Sequence, residues 1–272
     1  MSSSRSSRLP GFYNLLLEQR LAKVVEVGDL NNETRAALLG ERGLTLELAD
    51  NLIENVIGIF SLPLGIAVNF IVNQREVLVP MVIEEPSVVA GASHMAKLAR
   101  AGGGFTARTT EPEMIAQIQI LDVPDIEAAS QQLLQHKDEL LAKADQVDQV
   151  ISHLGGGARD LEIRTLHDTP VGSMLVVHLI YDTRDAMGAN VVNSVAETLA
   201  PTIENLTGGR AHLRILSNLA DRRLAYAHCR IPAKELAFDQ FSGDQVRDGI
   251  IEAWAFAAAD SYRAATHNKG IM

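Results

Sequence analysis

Three short motifs hold the residues with chemistry to offer. Glu84-Glu85-Pro86-Ser87 closes an apolar, β-branched run from Val77 to Ile83. Successive strand residues face opposite sides, so one carboxylate can enter a pocket while the other meets solvent. A carboxyl among apolar neighbours and beside a like charge holds its proton more tightly, which suits a general acid; a charged strand end has the same sequence. His267-Asn-Lys-Gly-Ile271 offers a lysine that can stabilise an oxyanion, or one that is simply solvated near the chain end. Asp182-Thr-Arg-Asp-Ala-Met-Gly-Ala-Asn190 follows one apolar strand and opens a helix. There Asp185 suits an N-cap, and Gly188 removes a side chain where phosphates can meet free backbone N–H groups; an ordinary cap fits the spacing as well.

Other chemistries lack their signatures. No G-x-G-x-x-G and no Walker A sequence is present, so a Rossmann or P-loop site is not indicated. The runs at Gly102 to Gly104 and Gly155 to Gly157 can approach phosphates, but read first as helix stops. The histidines have no metal-ligand spacing, and the single cysteine, Cys229, excludes an intrachain disulfide and a multi-cysteine zinc site, so no metal is expected. With 24 basic against 34 acidic residues the net charge is −10, which argues against a nucleic-acid partner. The polar start, Met1 to Arg8, has no apolar signal core. The uncharged window from Asn55 to Gln74 is interrupted by Gly58, Pro63 and Gly65, so it reads as a buried helix, a turn at residues 61–63, and a strand or second helix rather than a membrane span. A cytoplasmic protein with no membrane partner is the expectation.

These motifs need elements to hold them. Over 272 residues, 47% of them hydrophobic but only 4% aromatic, a substantial aliphatic core is available. Helical spacing of apolar residues runs through residues 12–57, from Val88 to Arg100, and from Ile126 to Ser152, where Ala129, Leu133, Leu140, Ala144, Val147 and Ile151 share one face. Strand patterns run from Ile115 to Leu121, Leu161 to Thr165, Met174 to Tyr181 and His212 to Leu216, with a further helix from Ala186 to Leu206. The order β-α-β-β-α-β is that of a ferredoxin-like domain. The predicted class is α+β: a large, mostly helical domain (residues 1–110 and 221–272) with a small domain (residues 111–220) inserted.

Glu54-Asn-Val-Ile-Gly58, Glu84-Glu-Pro-Ser87, Asp185-Ala-Met-Gly-Ala-Asn190, Leu216-Ser-Asn-Leu-Ala-Asp221 and Tyr262-Arg-Ala-Ala-Thr-His-Asn-Lys-Gly-Ile-Met272, in this order and spacing, together resemble bacterial class II 3-hydroxy-3-methylglutaryl-CoA reductase over essentially the whole chain. The resemblance implies an oxidoreductase of mevalonate and isoprenoid metabolism. It interconverts 3-hydroxy-3-methylglutaryl-CoA and mevalonate plus CoA with two nicotinamide cofactors, through a mevaldyl-CoA hemithioacetal and mevaldehyde. It implies that the inserted domain is a non-Rossmann dinucleotide-binding domain. It implies a homodimer, or a larger assembly of dimers, with the active site at the subunit interface and Glu54 to Gly58 near that contact.

By the same resemblance Lys269 stabilises the oxyanion and Glu85 supplies a proton at the aldehyde step. Ser87 and Arg263 hold the substrate carboxylate, Asn218 assists at the reacting centre, and Asp185, Met187, Gly188 and Asn190 line the nicotinamide nucleotide site. Asp148 stands where NADH-using members carry an acid facing the adenosine ribose. A carboxylate accepts from a free 2′-hydroxyl and repels a 2′-phosphate, so NAD(H) is predicted over NADP(H). Arg8, Lys97 and Arg100 are candidates for the CoA phosphates by charge alone. The resemblance also implies a further catalytic aspartate and a histidine in sequence beyond the lysine motif, and neither has a matching position here. The expectation is therefore a chain lacking the family's C-terminal part. The alternative to a catalyst is a non-catalytic nucleotide- or acyl-CoA-binding dimerisation module.

Overall fold

The structure is a computed structural model and describes residues 6–271, the last as backbone only; residues 1–5 of the polar N-terminal stretch, and Met272, lie outside the described residues. The chain forms two compact units, one from residues up to 107 and from 227 onward, the other from residues 108–226. In chain order, a 3-10 turn at Phe12–Asn14 leads into α1 (Leu17–Gly28), α2 (Asn32–Leu38) and α3 (Leu46–Asp50). Then follow β1 (Leu64–Val72), β2 (Arg75–Val82), α4 (Val88–Arg100) and β3 (Phe105–Thr109). The second unit runs through β4 (Glu113–Leu121), α5 (Ile126–Gln135), α6 (Lys137–Asp145), α7 (Gln149–His153), β5 (Gly157–Leu166), β6 (Met174–Asp182), α8 (Ala189–Thr207) and β7 (Arg210–Leu216). After it come β8 (Ala225–Cys229), α9 (Ala233–Leu236), α10 (Gly243–Ala259) and α11 (Ser261–Ile271). Among the described residues no helix is long and apolar enough to cross a membrane.

The second unit is the ferredoxin-like arrangement. Its sheet has the order β5-β6-β4-β7, and each neighbouring pair is antiparallel. β6 has all nine residues buried. Its Leu175, Val177, Leu179 and Tyr181 join Ile118 and Ile120 of β4 and Leu133, Leu140, Val195, Leu199 and Ile203 of the helices in one aliphatic core. Packing on this scale, not helix propensity, holds such helices in place.

Side-chain caps start several of the helices, although the break between α5 and α6 at His136 has none. The expected continuous helix from Ile126 to Ser152 is three helices: Asp125 caps α5, and the Asp148 carboxylate accepts from Ile151 N–H at 3.0 Å to start α7. The shared face is kept, because Ala129, Leu133, Leu140, Ala144 and Ile151 are all buried. Residues 12–57 are likewise divided. Asp29, in the left-handed conformation, ends α1, and Asn31 caps α2 through Thr34 N–H at 2.8 Å. The buried helix expected at the start of the 55–74 window is absent. Residues 55–63 are neither helix nor strand and are largely exposed, Ile57 at 103%. Apolar spacing signals burial, but among the described residues nothing covers them. Residues 64–72 resolve as strand β1 rather than helix.

The first unit's sheet has the order β2-β1-β3-β8, and α4 packs on β1. β1 pairs antiparallel with β2 except at a bulge, where Val68 and Asn69 stand between the pairs Ala67–Val79 and Phe70–Val77. Glu76 of β2 is gripped by Arg100 of α4, whose Nη1 and Nη2 reach the two carboxylate oxygens at 2.9 and 2.5 Å. That fork, opposed by burial and assisted by Ser7, brings the Glu76 pKa down to about 2. This contribution to stability is therefore complete above the ordinary value of 4.5 and fades only as pH falls toward 2.

His178 of β6 is buried, with Nε2 2.8 Å from Gln117 Nε2. Burial, then the charge of Arg164, lowers its pKa from 6.5. Unfolding releases the ring to bind a proton, so stability falls as pH drops below 6.5. Thermal unfolding followed from pH 7 to 5 should show a falling midpoint, and a His178→Gln chain a shallower fall.

Candidate functional site

Two places gather chemistry, one in each unit. In the first, a cavity of about 800 Å³ is lined by residues 8–13, the start of β1, residues 83 and 85–87 and one face of α4. Most of its wall is apolar: Leu9, Phe12, Leu64, Ile66, Val68, Ile83 and Val89. Its charged members are Arg8, Arg20 and Lys97, with His94 beside them, against a single acid, Glu85. The Nε of Arg20 is buried and has no hydrogen-bond partner among the described residues, an unmet donor that an anion would satisfy.

Ser87 follows Glu85 on the same wall. It is the N-cap residue of α4 with φ 72°, and its side chain makes no capping bond. A left-handed conformation is uncommon outside glycine and is retained where the surroundings impose it. Its carbonyl accepts from Gly91 N–H at 2.7 Å. Of the three cations named by charge, Arg8 and Lys97 line the cavity, whereas Arg100 is committed to Glu76.

Lys269 and Arg263 belong to the same unit but sit exposed on α11, and neither is on the cavity wall. Asn218 is exposed in the second unit, just after β7. Within one chain, then, the cavity brings together Glu85 and Ser87 and leaves Lys269, Arg263 and Asn218 elsewhere.

The second place lies where β6 ends. Asp182 is 1% exposed. Its carboxylate accepts from Arg184 N–H and from the Arg159 guanidinium, each at 2.9 Å, and pairs with the Arg184 guanidinium. Burial pushes its pKa up, but those donors outweigh burial and the net shift is downward. The loop that follows is folded on Thr183, whose hydroxyl lies 3.1 Å from Ala186 O. At Gly188 φ is 97°, and a Cβ there would stand 2.5 Å from Thr183 Cγ2, so only glycine fits. The helix begins at Ala189 with Gly188 as N-cap and no side-chain cap. Asp185 is therefore not the cap that the sequence suggested; it is exposed, with Met187 and Asn190 beside it.

The turn carrying Asp148 stands next to this loop. Arg159 also donates to Gly155 O at 2.5 Å, and a Cβ on Gly156 would meet Asp182 O at 2.7 Å. Tyr181 is fully buried there; burial raises its pKa, and the charges of Asp148 and Asp145 raise it further. So Asp148, the triple-glycine turn and residues 182–190 form one end of the second unit. Asp148 is half-buried and has a structural task of its own, the α7 cap.

Two arginines were invisible to pattern reading. Arg223 donates to Thr183 Oγ1 at 3.0 Å, Ala186 O at 2.9 Å and Arg184 O at 3.3 Å, so one guanidinium holds the whole loop. Arg20 stands on the cavity wall. Neither has a spacing signal, because what marks each is a contact made across the fold.

The hydroxymethylglutaryl-coenzyme A reductase family profile matches residues 17–272. The chain is 51% identical over 269 residues to the 3-hydroxy-3-methylglutaryl-coenzyme A reductase of Archaeoglobus fulgidus, covering 98% of this chain and 60% of that one. It is 30% identical over 222 residues to a probable enzyme of the same name from Borreliella burgdorferi, covering 82% of this chain and 50% of the relative. The chain thus spans about half to three fifths of the length of these relatives. Among solved structures, the class II 3-hydroxy-3-methylglutaryl-CoA reductase of Streptococcus pneumoniae bound to NADPH superposes with a TM-score of 0.90 at 40% identity, over 96% of this chain and 70% of that one.

If Arg223 is what orders the 183–188 loop, Arg223→Ala should speed tryptic cleavage after Arg184 while moving the global unfolding free energy by no more than about 2 kcal/mol. Limited proteolysis alongside chemical denaturation checks both.

Proposed function

Because the chain belongs to the hydroxymethylglutaryl-coenzyme A reductase family, we propose that it serves the interconversion of 3-hydroxy-3-methylglutaryl-CoA and mevalonate plus CoA with NAD(H). The observation that carries this reading is the cavity, in which Glu85 is the single acid on a wall otherwise apolar or basic and Ser87 stands beside it. An acyl-CoA is an apolar chain with anionic ends, and the wall offers a match to both parts. Arg8, Arg20 and Lys97 would take the CoA phosphates, with Arg20 contributing its unmet Nε donor.

The dinucleotide fits the end of the second unit. The 19-residue helix α8 starts without a capping side chain, so its first N–H groups are free for an anion, and the Arg184 Nε is buried without a partner among the described residues. The Asp148 carboxylate would accept from a free 2′-hydroxyl and repel a 2′-phosphate placed beside it. When bound, the cofactor supplies the hydride. The chain's own residues handle the charge and the proton. Negative charge developing on the thioester oxygen meets the ammonium of Lys269, and Glu85 delivers a proton to the oxygen at the aldehyde stage. Ser87 and Arg263 orient the substrate carboxylate, and Asn218 donates near the reacting carbon. Apolar walls exclude water and so strengthen each of these interactions.

A homodimer completes the arrangement. Leu52, Ile53, Ile57 and Phe60, around the Glu54 to Gly58 motif, are exposed, as are Trp254, Phe256 and Tyr262 near α11. Apolar surface of this extent marks an interface. In the dimer, Lys269 of the partner subunit meets Glu85.

The primary test is oxidation of NADH dependent on 3-hydroxy-3-methylglutaryl-CoA by the 272-residue chain; binding of both ligands without turnover would select the binding and dimerisation module instead. Glu85→Gln and Lys269→Ala should each abolish turnover. Mixing the two variants should restore about a quarter of it, since half of randomly formed dimers are mixed and each has one intact site; no recovery means that both groups come from one chain. Asp148→Asn keeps an α7 cap while removing the charge, and should narrow the NADH-over-NADPH preference in Kd by about tenfold, read by fluorescence titration.

A further inference from the structure

Ser7 is 1% exposed and joins three parts of the first unit. Its N–H donates to Glu76 Oε2 at 2.7 Å, and its hydroxyl lies 2.7 Å from Phe70 O and 2.5 Å from the same Glu76 oxygen. Its carbonyl accepts from Asn69 N–H at 2.8 Å. Arg100 closes the cluster, with Nη1 3.2 Å from Ser7 Oγ and from Asn69 O. The bulge in β1 makes this possible. Asn69 has φ 73° and stands in the irregularity, out of register with β2, where its N–H turns to the incoming segment.

The residues that follow Ser7 are the cavity wall. Residues 8–13 line it, while Ser7, Glu76 and Arg100 do not. We propose that Glu76, with Ser7 and Arg100, is a positioning residue that pins the N-terminal segment across the cavity and so sets the affinity for the acyl-CoA. The inference rests on the acyl-CoA reading of the cavity. Three segments distant in sequence meet on one carboxylate, and removing it frees the segment carrying Arg8 and Phe12 without altering any group on the wall. Preorganisation of that wall is then lost, and binding must order it afresh.

The test measures binding of 3-hydroxy-3-methylglutaryl-CoA and of NADH by calorimetry to the unaltered chain and to Glu76→Gln and Ser7→Ala, with tryptic cleavage after Arg8 followed in parallel. The expected result is faster cleavage after Arg8, an acyl-CoA Kd raised about tenfold in Glu76→Gln and less in Ser7→Ala, and an NADH Kd within about twofold of the unaltered value. A general loss of stability would weaken both ligands together. Variants with an unchanged acyl-CoA Kd, or with unchanged cleavage, overturn the inference alone. An unaltered chain that binds NADH but not the acyl-CoA overturns the proposed function and this inference with it. Should Glu76→Gln fail to fold, Ser7→Ala decides by the same readings.

Discussion

A carboxylate taken out of water must find donors for its oxygens, or it does not stay charged and buried. Asp182 of the second unit is such a group; Glu76 of the first keeps 30% of its side-chain surface in water and still gathers donors for both oxygens. Glu76 draws Ser7 and Arg100 onto the β1–β2 hairpin. Asp182 draws Arg159 and Arg184 onto the end of β6. In both cases the partners come from segments with no regular structure at the point of contact, or lead directly into one. The demand for hydrogen bonds is thereby converted into a fixed path for a loop, and in both cases that loop borders a place with chemistry to offer.

The two units divide the work in the terms of their surfaces. The first offers an apolar cavity with a basic side and one acid, which suits a long, partly apolar anion. The second offers an uncapped helix start beside a glycine that admits no side chain, which suits a phosphate. In the proposed reading this would be the physics of a glycine-rich nucleotide loop reached by another topology: a β-hairpin and crossover helices in an antiparallel sheet, where a Rossmann unit uses parallel strands.

The exposed state of Lys269 and of the apolar residues 52–60 has a common origin. Both belong to motifs that pattern reading assigned to chemistry or burial, and a single chain provides neither a pocket for the one nor a cover for the other. The symmetric pair proposed above would supply both at once, because an isologous contact brings the same patch of each chain against its copy. Family membership and chain length set the frame: the fold matches over nearly the whole chain, while the relatives themselves extend well beyond it.

The sequence by itself determined the periodicities and the motifs. The alternation of Ile118 and Ile120 with Gln117 and Gln119, and the shared face of Ala129, Leu133, Leu140 and Ala144, follow from side-chain geometry within one element, and they gave the ferredoxin-like order. Glu85 and Ser87, two residues apart, reached one cavity wall because a single turn joins β2 to α4. Tertiary structure alone decided the rest. Where a periodic run breaks depends on a cap such as Asp148 competing with helix continuation. That Arg100 serves Glu76 rather than a ligand, and that Arg223 holds the 183–188 loop, depends on contacts across long sequence separations. Local pattern records which faces are apolar; it does not record which distant donor a buried carboxylate or carbonyl will find, because that is fixed only when the whole chain has folded around it.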